Sequence, residues 1–221
     1  QLFGFEITRT KDKKAIKSIV PPRDDDGAGY VTSTSHGAHY GHYINMDGDD
    51  AKDNAQLILK YRGAAMHPEA DAAIEDIVNE AITASDVKPT LELNLEKVPV
   101  GAGIKKQIQE EFVKIQNMLN FKELGHDIFR RWYIDGRLYH HLVVDEANLT
   151  GGIQEIRHID ASKIRKVKQV KKKKDPATGA ALVEKVDEFY IYQEKPGGQQ
   201  TGIKLTPDSV SYVTSGILDE A

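Results

Sequence analysis

Phe129-Arg130-Arg131-Trp132-Tyr133-Ile134-Asp135-Gly136-Arg137-Leu138-Tyr139-His140-His141-Leu142-Val143-Val144 changes its hydrophobic period half-way. Up to Tyr133 the apolar residues Ile128, Phe129 and Trp132 recur at helical spacing, which predicts a helix over Leu124 to Tyr133 with one buried side. Asp135-Gly136 is a turn signal. Beyond it Leu138 to Val144 reads as an apolar strand, and from there the period is two. The chain therefore turns from helix to sheet at residue 136.

On the N-terminal side of this switch the segments are helical. Ala51 to Arg62 suggests a short helix with Ala55, Ile58, Leu59 and Arg62 on one side. Pro68 suits a first helical turn, and Ala73, Ile74, Ile77, Val78, Ala81 and Ile82 follow at three- and four-residue steps, a helix stopped by Pro89. Thr90 to Leu95 alternates as a half-buried strand would. Ala102 to Leu119 reads as the clearest helix, its stripe being Ile104, Ile108, Phe112, Ile115 and Leu119; Asn120 breaks it.

On the C-terminal side Ile153 to Ile159, Ile164 to Val170, Val186 to Tyr192 and Val210 to Val213 read as strands. Gly151-Gly152, Asp175 to Gly179 and Pro196 to Gly198 supply the turns. Helices and strands segregate along the chain, so the expected class is α+β: a helical segment, then an antiparallel β region. Residues 1–50 carry few periodic apolar positions and read as an extended arm lying on something else. The expected division is an arm at 1–50, a helical part at 51–136 and an antiparallel β part at 137–221.

The composition narrows the chemistry. The 221 residues are 39% hydrophobic and 29% charged, enough apolar material for a sizeable core. With no cysteine, a disulfide scaffold, a thiolate zinc site and a cysteine nucleophile are all excluded. No apolar run approaches the length needed to cross a bilayer. The net charge of −4 is not that of a protein coating nucleic acid non-specifically.

His36, His39 and His42 sit three apart, as metal ligands can, but a Gly/Ser/Thr-rich loop offers no rigid second shell; a polar loop is the better reading. Asp24-Asp25-Asp26-Gly27 and Asp47-Gly48-Asp49-Asp50 lack calcium-loop spacing and suit a turn or a helix start. There is no serine elbow, phosphate loop or zinc-protease motif. His140 and His141 are strand neighbours whose rings must point to opposite faces. Trp132 is expected in the core with Ile128 and Phe129, leaving Arg130 and Arg131 for a subunit interface. No catalytic, metal or cofactor residue is assigned.

The basic run Lys163 to Lys174 alternates at first, so Ile164 and Val170 are expected to face a core and its lysines water. Lys171, Lys172, Lys173 and Lys174 are expected to lead into the Asp175-Pro176 turn as a solvated hairpin tip that discourages edge pairing. They are also the candidate contact for a polyanion or an acidic partner. A free-standing nucleic-acid-binding module built on 163–174 is the alternative function. No aromatic residue interleaves with the lysines, so stacking on single-stranded bases is not expected.

Four stretches carry a resemblance. They are Val20-Pro21-Pro22 with Asp24 to Ala28; Tyr61-Arg62 leading to Ala73-Ile74-Glu75-Asp76-Ile77-Val78-Asn79-Glu80-Ala81-Ile82; Phe129 to Arg137; and Ile159-Asp160 with Lys163 to Val167, closing at Ser215-Gly216-Ile217. Together they resemble the portal (head-to-tail connector) proteins of T4-like tailed bacteriophages, in the N-terminal part of the wing region. The resemblance implies a non-enzymatic, cofactor-free subunit of a dodecameric ring at one capsid vertex of the virion, assembled in the host cytoplasm. It implies capsid, terminase and neck proteins as partners, and double-stranded DNA passing through the ring. The stem, clip and crown would lie outside this stretch.

Overall fold

The computed structural model of the chain describes residues 28–34, 49–83, 90–145, 147–175, 179–194 and 202–216. The readings at Asp24 to Asp26, His36, His39, His42 and Asp47-Gly48 lie outside the described residues. The elements run β1 (Gly29–Thr34), α1 (Asp49–Ala65), α2 (Pro68–Ala81), α3 (Ala102–Met118), α4 (Phe121–Asp135), β2 (Arg137–Val144), β3 (Ile153–Ile159), β4 (Ile164–Lys174), β5 (Ala181–Tyr192), β6 (Ile203–Leu205) and β7 (Val210–Thr214). Among the described residues, β1 and then four α-helices followed by antiparallel strands make an α+β fold. None of the described helices is long and apolar enough to cross a membrane.

The break at residue 136 is a helix cap. Gly136 takes φ 69°, the left-handed region that ends helices, and donates its N–H to the Trp132 carbonyl. The chain then enters β2 directly. β2 is the centre of a three-stranded sheet ordered β3-β2-β7, and the other sheet is ordered β1-β4-β5-β6. Asn120, the residue expected to break a helix, does so with φ 46° between α3 and α4.

The core lies where the two sheets and α1 meet. Ile58 of α1, Tyr139 of β2, Ala161, Ile164 of β4, Tyr190 of β5 and Val210 of β7 form one buried cluster. Tyr139 stacks on Tyr212 and meets Tyr190 edge-on, with ring centroids 4.8 and 6.1 Å apart. A second cluster, Val167, Phe189 and Ile191, occupies the opposite face of β4 and β5.

Several expectations are corrected. Residues 91–95 form no strand: alternation there has no neighbouring strand to satisfy the backbone, and the Asn94 side chain instead accepts from the Glu96 N–H. Leu59 is exposed although its neighbour Ile58 is fully buried, because α1 meets the core along a narrow line. The stripe of α3 is mostly uncovered, with Ile104, Ile108 and Ile115 all exposed. The described part of the N-terminal arm lies on the chain's own sheet: β1 pairs with β4 in parallel, Gly29 opposite Val167 and Thr34 opposite Lys172. That pairing is the exception to the antiparallel region.

Candidate functional site

The polar centre of the molecule is built around Arg62, in the last turn of α1. Its Nε and Nη2 donate to the two carboxylate oxygens of Asp135 at 2.8 and 2.7 Å. Its Nη1 and Nη2 donate to the two oxygens of Asp160 at 3.2 and 3.0 Å. A planar guanidinium suits two such forked contacts, and a lysine does not. Asp135 closes α4 and is buried; Asp160 stands in the β3–β4 turn, where it also accepts from the Ser162 N–H and hydroxyl. Burial pushes the Asp160 carboxyl up, but the Arg62 and Ser162 donors outweigh it and hold the group well below the usual carboxylate range. One cation thus ties helix α1, the end of helix α4 and the turn between two sheets.

A second arginine fixes the helices to each other. Arg130 of α4 reaches Asp71 at 2.6 Å and Glu75 at 2.8 Å, both on α2. It therefore acts inside the subunit, and only Arg131 of that pair is left exposed. His126 meets Glu75 and Asn79 on the same helix. Trp132 is half-buried beside Phe129, centroids 5.3 Å apart, on the apolar side of α4 but outside both core clusters, so it is not the core anchor expected.

The strand histidines diverge as expected. His140 is buried and meets His158 edge-on across the β2–β3 ladder, while His141 lines an open groove with Arg157, Lys163, Tyr192 and Ile203. Burial, with a smaller contribution from His158, pushes His140 down to about 4. No group of three or more metal-ligating side chains is gathered among the described residues. The Asp135–Asp160 pair is filled by Arg62.

The basic run departs from its sequence reading. β4 continues through Lys174, so Lys171 to Lys174 are strand residues paired with Ala181 to Lys185, with an irregularity between Lys171 and Lys172. Lys166 and Lys168 share the face of Ile164 and Val170 and do not project freely into water. Lys168 is buried, and both lysines extend along the sheet towards Glu188, at 3.2 and 3.8 Å. Lys171 meets Asp187 at 2.6 Å and Lys173 meets Glu184 at 3.8 Å. The acids of β5 therefore neutralise much of the basic run.

Sequence reasoning gave Arg62 and Asp160 no role. The available signal was indirect: both fall inside the resembling phrases, as does Asp135. Their convergence becomes visible only when α1, α4 and the β3–β4 turn are folded together.

Residues 54–221 match the family model described as Bacteriophage T4-like portal protein (Gp20). The chain belongs to the T4-like portal protein family. It is similar to the portal protein of Vibrio phage KVP40, 28% identical over 220 residues, covering 94% of this chain and 42% of that protein. It is also similar to the portal protein of Salmonella phage ViI, 27% identical over 189 residues, covering 85% of this chain and 33% of that one. The chain thus spans less than half the length of these portal relatives. The matched region contains the entire Arg62 clamp and every described strand of both sheets except β1.

Proposed function

We propose that this chain is the wing-like part of a portal ring subunit, standing at a capsid vertex through which genomic DNA is packaged and later ejected. The family match over residues 54–221 carries the reading. The helical part at 51–136 and the β part at 137–221 form one wing-like domain preceded by an arm at 1–50, and stem, clip and crown belong to other parts of the subunit. The role is structural: the subunit works by packing and docking, without catalysis or cofactor. Its partners are further copies in a dodecameric ring, the major capsid protein, terminase, neck proteins and passing double-stranded DNA. Its place is the virion, after assembly in the host cytoplasm.

The internal chemistry supports this reading. The arginine contacts of Arg62 and Arg130 are made within the subunit and stiffen it, which suits a body that must transmit load between neighbours. The tip lysines Lys171 to Lys174 are the proposed contact for a polyanion or an acidic neighbour. A free-standing nucleic-acid-binding module is less favoured, since β5 carboxylates already face Lys166, Lys168, Lys171 and Lys173. Electron microscopy of the protein expressed from its complete reading frame tests the proposal. Rings with a central channel are expected, and a monomer at every concentration would refute it.

A further inference from the structure

Val167 of β4 and Phe189 and Ile191 of β5 are only 2%, 2% and 3% exposed. They nevertheless stand on the outer face of their sheet, away from Ile58 of α1 and the core tyrosines. Val167 lies opposite Phe189, and Ile191 lies between Arg165 and Lys204. Side chains on one sheet face stand side by side, and their ends stay open unless a further layer packs on them. Among the described residues, the Lys204 ammonium covers part of this face, 4.0 Å from the Phe189 ring centroid. No apolar residue from outside β4 and β5 joins the cluster among the described residues. Burial this complete requires an apolar layer.

The strand register shows where that layer enters. Gly29 pairs with Val167, itself a member of the cluster, and β1 runs parallel to β4 from there. The chain before Gly29 therefore meets the sheet within about 10 Å of Phe189 and Ile191, by strand spacing and rise. Residues 1–27 lie outside the described residues. Their sequence holds two apolar groups, Leu2, Phe3, Phe5 and Ile7, then Ala15, Ile16, Ile19 and Val20, with polar Thr8 to Lys14 between them. The second group is the nearer. From Val20 the chain reaches at most about 30 Å to Gly29, and Asp24-Asp25-Asp26-Gly27 on the way is a turn signal that sends it back.

We infer that Ile16, Ile19 and Val20 of the same copy pack on Val167, Phe189 and Ile191, so that the outer face of β4 and β5 is the seat of the N-terminal arm. The arm is then held twice, by the β1 ladder and by this apolar plug, and the sheet face is closed to other proteins. The stretch 35–48 also carries apolar residues, Tyr40, Tyr43, Ile44 and Met46. It leaves the sheet at Thr34, opposite Lys172 and away from the cluster. The inference stands independently of the portal reading.

Cysteine is absent from the chain, so introduced thiols report the contact directly. Ile191→Cys is combined in turn with Ile19→Cys, Phe3→Cys and Ile44→Cys in the full chain, and each double variant is oxidised. The combination with Ile19→Cys is expected to form an intrachain disulfide at least several-fold faster than the other two. A faster product from either of the others overturns the choice of segment. A product joining two copies assigns the seat to a neighbour's arm and overturns the inference equally, as does no product from any of the three. As a second readout, Ile16→Asp with Ile19→Asp is expected to speed maleimide labelling of Ile191→Cys at least several-fold. Ile58→Cys, in the other core cluster, is expected to label as slowly as in the parent chain. Unchanged labelling of Ile191→Cys, or an equal rise at both positions, overturns the seat.

Discussion

Asp160 receives both Nη groups of Arg62, a residue 98 positions earlier in the chain, and the same guanidinium grips Asp135. The contact joins the helical part to the sheets at a point the chain reaches three separate times. Removing the arginine leaves Asp135 buried without its counter-charge, the costliest way to break such a network. Arg62 itself is a third exposed, so solvent offsets part of the loss.

Arg62→Ala is expected to destabilise the fold by about 2–3 kcal/mol. Arg62→Lys should recover only part of this, since an ammonium cannot make two forked contacts. Urea unfolding followed by circular dichroism measures both. Equal stability of the alanine variant and the parent would show that the clamp holds nothing.

Among the described residues Ile58 is the only one of α1 in the main core cluster, and it is fully buried. Ile58→Ala is expected to cost ~3 kcal/mol, through lost burial and the cavity left between α1 and the tyrosines. Neighbouring Leu59→Ala, at an exposed position, should stay within ~0.5 kcal/mol. Thermal unfolding of the pair separates the two helix faces.

At Gly136, a Cβ would meet the Ser215 hydroxyl oxygen at 3.4 Å, which is tolerable, so the cost of alanine is set by the left-handed backbone. Gly136→Ala is expected to lose ~1–2 kcal/mol. Gly136→Asn should lose less, because asparagine adopts this conformation more readily. Chemical denaturation of the two variants provides the comparison.

His140 binds its proton less readily folded than unfolded, since its pKa falls from the ordinary 6.5 to about 4. Its neutral form therefore contributes fully above about pH 6.5. As pH falls from there towards 4 the unfolded chain takes up the proton first, and stability declines. Below the ordinary Asp value of 3.8, protonation of Asp160 removes a further contribution. His140→Gln is expected to flatten the decline between pH 6.5 and 4 in a melting series; an unchanged slope would assign it to another group.

If the strand tip at Lys172 and Lys174 meets DNA phosphates, replacing both by glutamine should lower the slope of log affinity against log salt by about 2. Fluorescence anisotropy with duplex DNA measures the slope. An unchanged slope would leave an acidic protein neighbour as the partner of this tip.

The sequence by itself determined the four helices and the strands β2, β3, β4, β5 and β7 that follow them, the switch from helix to strand at Gly136 and the inward positions Ile58, Val78, Ile164 and Val170. These follow from local rules: apolar spacing, turn chemistry and the conformational freedom of glycine. The tertiary structure alone decided which apolar stripes find cover. Periodicity describes one helix face and cannot say whether a neighbour lies against it, so the α3 row, regular as any, is left exposed. It also decided that Lys166 and Lys168 turn towards Glu188, and that Arg62, Asp135 and Asp160 converge. Ion pairs between distant segments have no local signature, because attraction between two side chains depends on where the backbone brings them and not on their separation along the chain.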